Sequence, residues 1–95
     1  MAKTILTVDD KENVRTLIRE YLTEEGFRVV TADNGQTALF VERQKKPDLI
    51  LLDLMMPVMT GADFYHALAA EVRDRVVFIT GGAFSPRARA FLDSV

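Results

Sequence analysis

Leu49-Ile50-Leu51-Leu52-Asp53 (LILLD) is the stretch on which the fold of this chain is decided. An uninterrupted aliphatic run fits a strand buried on both faces, the habit of parallel sheets covered by helices, and this one stops on an acid. Upstream, Lys45, Lys46 and Pro47 end a helix predicted from Gln36 to about Gln44. Asp33-Asn34-Gly35 supplies its turn and caps, and Phe27 to Ala32 (FRVVTA) reads as another strand. Before that strand, Val14, Leu17, Ile18, Tyr21 and Leu22 form one apolar helical stripe, with Gly26 where a C-terminal cap belongs. Thr4 to Val8 (TILTV) is a short β-branched run that ends at Asp9-Asp10.

Downstream of LILLD, Met56 to Gly61 reads as a loop, followed by a helix from about Ala62 to Val72 with Phe64, Leu68 and Val72 facing inward. Val76 to Ile79 (VVFI) is a fourth strand, ending at Thr80-Gly81-Gly82, and Ser85-Pro86 opens a last helix. The resulting βαβαβαβα order predicts a doubly wound parallel α/β sheet with right-handed crossovers. Ligands of such sheets bind outside the carboxyl ends of the strands.

The 95 residues allow one domain and one core. With 48% apolar and 27% charged residues the composition is that of a globular protein, which excludes a disordered or low-complexity chain. A net charge of −2 argues against direct nucleic-acid binding. The absence of Cys excludes disulfides, thiolate metal sites and a cysteine nucleophile. The first residues do not read as a signal peptide, and no apolar run is long enough to span a bilayer. A cytoplasmic protein with no membrane contact is the expectation.

Three strands end in residues with chemical potential: the first at Asp9-Asp10, the third at Asp53, the fourth at Thr80. If strands one and three are neighbours, their ends lie roughly 5 Å apart, and three carboxylates share one pocket. Like charges so close raise one another's pKa unless a cation neutralises them. An all-oxygen donor set with few protein ligands suits Mg2+. The plain alternative is that Asp after a strand caps a helix or makes a turn, and Asp10 is placed to cap the helix that follows it. An ionised Asp beside Mg2+ and a hydroxyl donor suits in-line phosphoryl transfer to give an acyl phosphate.

At these residues the chain resembles the receiver domain of two-component response regulators. The resemblance rests on LTVDD near the start, LILLDLMMPVMTG in the middle and VVFITGG after the third helix, and it runs from Lys3 to the last residue. It implies a flavodoxin-like fold in which the strand order 2-1-3-4-5 is cut to 2-1-3-4. It also implies that Asp53 accepts a phosphoryl group from a phosphohistidine on a sensor histidine kinase or phosphotransfer protein. Asp10 would bind Mg2+ directly with Asp9 assisting, the backbone carbonyl of Met55 would be a further ligand, and Thr80 would hydrogen-bond the phosphoryl group and switch a surface. Such a domain is not an enzyme, apart from assisting its own phosphorylation and dephosphorylation. Gly81-Gly82 resembles receivers attached to hybrid sensor kinases.

The family also has a fifth βα unit, whose strand ends in a Lys that contacts the phosphoryl group. None of Lys3, Lys11, Lys45 or Lys46 is expected to take that role. Residues 1–95 are thus expected to form a C-terminally incomplete receiver domain, with VVFI as an apolar sheet edge open to homodimerisation or strand exchange. One alternative is a receiver-fold binding or dimerisation module that is phosphorylated poorly or not at all. An aspartate-nucleophile phosphatase of the haloacid-dehalogenase type would need an acid where Met55 stands. A flavin binder would need a phosphate-cradling loop where the chain has DDKEN.

Overall fold

The computed structural model describes residues 2–53 and 61–79. Four parallel strands, β1 (Thr4–Val8), β2 (Arg28–Ala32), β3 (Leu49–Asp53) and β4 (Val76–Ile79), form one sheet in the order β2-β1-β3-β4. This is the doubly wound parallel sheet that the alternation of elements predicts, in the flavodoxin-like strand order that the resemblance implies. Among the described residues no helix is long and apolar enough to cross a membrane. Of the loop expected over Met56–Gly61, residues 56–60 lie outside the described residues and Gly61 instead begins a helix; the helix expected from Ser85 also lies outside the described residues.

The central strands β1 and β3 are buried on both faces, so alternate side chains feed two separate cores. Leu6 and Val8 of β1 and Ile50 and Leu52 of β3 pack with Phe64 and Leu68 on one face. Ile5, Leu49 and Leu51 pack on the other face with Ile18 and Leu22 of α1 (Glu12–Glu24) and with Phe27. The Thr7 hydroxyl is buried without a hydrogen-bond partner among the described residues, at a cost of roughly 1–3 kcal/mol. The β1–β3 register is pinned at its amino end by a reciprocal pair. Thr4 N–H donates to Asp48 Oδ2 and Asp48 N–H donates to the Thr4 carbonyl, each at 2.8 Å.

Helix ends follow local chemistry. Gly26, at φ +95°, closes α1: its N–H donates to the Thr23 carbonyl and that of Phe27 to the Leu22 carbonyl. This is the two-bond αL stop in which an apolar contact joins the residue after the glycine to the last turn, and Phe27 and Leu22 share a core cluster. A Cβ at Gly26 would meet no atom within 4 Å, so the cost of a side chain lies in the backbone alone. Gly26→Ala is therefore expected to lower unfolding free energy by about 1–2 kcal/mol, measured by urea denaturation; an unchanged midpoint would contradict it. In α2 (Gly35–Lys45) the Asn34 side chain accepts from Thr37 N–H at 2.8 Å, and the chain leaves through Lys46 at φ 46° just before Pro47.

One expected element is divided. The helix predicted over Ala62–Val72 is instead α3 (Gly61–Ala67) and a short α4 (Ala70–Arg73), separated by Ala69 in an extended conformation. The Arg73 guanidinium covers the break. Its Nε donates to the Tyr65 carbonyl at 3.1 Å and its Nη2 to the His66 carbonyl at 2.8 Å, and the group stacks 5.5 Å from the Tyr65 ring centroid. These carbonyls are the acceptors a continuing helix would have satisfied with its own N–H groups. Phe64 and Leu68 are nevertheless buried, as the spacing predicts, and Val72 packs half-buried against the same core. His66 is exposed.

Candidate metal and phosphoacceptor site

The pinned register carries through to the other end of the strands. Val8 pairs with Leu52, so the next residues, Asp9 and Asp53, emerge side by side at the carboxyl edge of the sheet. Asp9 stays in the sheet through its N–H, which donates to the Ala32 carbonyl at 3.1 Å. Asp9 and Asp53 are each only 1% exposed, whereas Asp10 faces solvent. One carboxylate oxygen from each of Asp9, Asp10 and Asp53 lies within 4.8 Å of the others. The three acids expected to converge do so.

The capping alternative for Asp10 is not what the structure adopts. The residue preceding α1 is Lys11, and its side chain makes no capping bond. Asp9 Oδ1 instead accepts the Lys11 N–H at 2.9 Å, and the Asp9 carbonyl accepts from Arg15 Nη1 at 2.8 Å. These two bonds fix the turn from β1 into α1 and leave the second Asp9 oxygen and the Asp10 carboxylate for the pocket.

Lys11 enters the site although no sequence motif places it there. Its Nζ lies 3.5 Å from Asp10 Oδ1 and 3.8 Å from Asp53 Oδ2. Asp10 first, then Asp53, hold the Lys11 ammonium above its ordinary pKa. The available signal is adjacency: a long side chain directly after Asp10, at the mouth of the first turn of α1, can reach back over the strand ends. Thr80 and Met55, the other expected site residues, lie outside the described residues.

Burial pushes the Asp9 carboxyl above its ordinary value; the Lys11 N–H works against this, and repulsion from Asp53 adds to it. An acid that titrates higher when folded binds more protons in the native state between the two values. Its contribution to stability therefore falls as pH rises through that window, and the full penalty is present at neutral pH. Asp9→Asn keeps an oxygen for the Lys11 N–H and removes the charge. It is expected to raise the urea midpoint of the metal-free protein at pH 7, with the gain shrinking as pH falls through that window and gone once pH is below the ordinary carboxylate value. A midpoint below that of the parent at pH 7 would contradict this.

The donor set fits a hard divalent cation. It is all oxygen, two of its three carboxylates are buried, and the third opens to solvent, which suits an ion that retains several waters.

Comparison with known proteins agrees with this geometry. The family model for the response regulator receiver domain matches residues 5–94. The alkaline phosphatase synthesis transcriptional regulatory protein PhoP of Bacillus subtilis is 44% identical over 71 residues, covering 75% of this chain and 30% of PhoP. Among solved structures, CheY4 of Vibrio cholerae superposes with a TM-score of 0.79 at 29% identity, over 95% of this chain and 77% of that one. The response regulator TrrA of Thermotoga maritima, in complex with Mg2+-BeF, gives 0.72 at 34% identity, over 97% and 78%. The chain spans well under half the length of the curated relatives it matches. With the sheet order, the acid trio and a match over nearly all its residues, the chain belongs to the response regulator receiver domain family, the signalling switches of two-component systems.

Proposed function

We propose that Asp53 is the phosphoacceptor of a two-component phosphorelay. The observation that carries this is its buried carboxylate at the end of β3, with oxygens of Asp9 and Asp10 within 4.8 Å. Asp9, Asp10 and Asp53 would hold Mg2+, joined on grounds of resemblance by the Met55 carbonyl. When bound, the ion would neutralise charge on the phosphoryl oxygens and on the trio.

The chain's own residues do the rest. An Asp53 carboxylate oxygen attacks phosphorus in line with the bond to a partner's phosphohistidine nitrogen. The O–P bond forms as the P–N bond breaks, and its electron pair stays on the imidazole, which takes up a proton. Asp9, held by its bond from Lys11 N–H, and Arg15, clamped on the Asp9 carbonyl, keep the trio in place. Thr80 is assigned the hydrogen bond to the phosphoryl group, again from the resemblance. The phosphoryl donor is a histidine kinase or phosphotransfer protein, as the family implies.

The test is incubation with Mg2+ and acetyl phosphate, followed by intact-mass and peptide mass spectrometry. One added phosphoryl group on the peptide containing Asp53 is expected. A phosphoryl group elsewhere, with Asp53 unmodified, would overturn the assignment. Mg2+ binding without uptake would favour the second reading, a receiver-fold binding module.

A further inference from the structure

Lys11 joins the site from a position the family resemblance does not assign. Its Nζ sits between carboxylates of two elements, Asp10 in the turn after β1 and Asp53 at the end of β3, at 3.5 and 3.8 Å. Its backbone is fixed, with the N–H on Asp9 Oδ1 and the carbonyl accepting from Arg15 N–H at 3.1 Å. Its side chain is not fixed. It is 52% exposed and ends a flexible four-carbon stem that can turn out to water.

We propose that Lys11 is a tethered cation that competes with the divalent ion for Asp10 and Asp53 and lowers the affinity of the site for Mg2+. The inference rests on the metal-site reading above. The ammonium neutralises part of the trio's charge, so a divalent ion that takes the same oxygens must first displace it. A Mg2+–oxygen distance of about 2.0–2.1 Å leaves the same two oxygens little room to keep an ammonium pair alongside. Ion pairs of this exposure are weak, so the competition is modest. Losing both pairs is expected to tighten Mg2+ binding about three- to tenfold. Removing the Lys11 side chain leaves its backbone bond to Asp9 in place, so the substitution changes the charge and not the turn.

The experiment is calorimetric titration of the chain with MgCl2 at fixed ionic strength, for the parent, Lys11→Met, Lys11→Gln and Lys11→Arg. Tighter binding by both neutral variants, with Lys11→Arg close to the parent, supports the proposal. A second readout is the urea midpoint: in the neutral variants it falls without divalent ion and rises further on adding Mg2+ than in the parent. Equal or weaker Mg2+ binding by both neutral variants, with the parent binding normally, overturns the proposal and leaves the metal site standing. Absence of Mg2+ binding by every protein overturns both.

Discussion

Asp53→Asn is expected to reduce phosphoryl uptake from acetyl phosphate to an undetectable level while the protein stays folded. The amide is nearly isosteric with the carboxylate but carries no negative charge to attack phosphorus, and it withdraws one of three anionic ligands from the site. Two opposed effects act on the metal-free fold. The substitution removes one of three like charges, a carboxylate 1% exposed with two others within 4.8 Å, and so relieves repulsion. It also forfeits the pair with Lys11, 3.8 Å away, which solvent at the half-exposed lysine keeps weak. Relief of a buried repulsion outweighs the loss of a solvent-screened pair, so the urea midpoint without divalent ion is expected not to fall. Phosphoryl mass retained by the variant would remove Asp53 from its role; a collapsed midpoint would make the lost uptake a folding defect.

The second large effect is on stability. Phe64 is fully buried and is the largest of the fully buried side chains among the described residues. It joins α3 to Leu6 and Val8 of β1, Ile50 and Leu52 of β3, and Val76 of β4 in one cluster. Phe64→Ala is expected to lower unfolding free energy by about 3–5 kcal/mol. Small domains have only about 5–15 kcal/mol in total, so this variant should sit close to the edge of folding. Phe64→Leu, which keeps most of the apolar volume, should retain much of the stability. Urea denaturation followed by circular dichroism separates the two. A loss below about 1 kcal/mol for the alanine variant would show that α3 repacks without this side chain.

The sheet is legible in the sequence because its two central strands are doubly buried. TILTV and LILLD are uninterrupted enough, and their acid ends abrupt enough, to define both the strands and their shared edge. Helix α1 is legible through Ile18, Leu22 and Gly26. The division of the third helix is not, since Phe64, Leu68 and Val72 keep helical spacing across the break. At the break Arg73 reaches back to carbonyls seven and eight positions earlier, and no local pattern announces that. Strand order together with the β1–β3 register brings Asp9, Asp10 and Asp53 together. Lys11 escapes a reading by motif because the family's lysine stands at the end of another strand, whereas this side chain arrives from the residue just before a helix.

The reciprocal bonds between Thr4 and Asp48 bear on how the chain folds in time. They join residues 44 positions apart, and only when that closure is made in the right frame do Asp9 and Asp53 end up as neighbours. The acid pocket thus exists only once this long-range pairing is made, and the entropy of closing that loop has to be met before it forms. A cation that recognises the pocket would ignore collapsed or frame-shifted chains and stabilise only those that had finished.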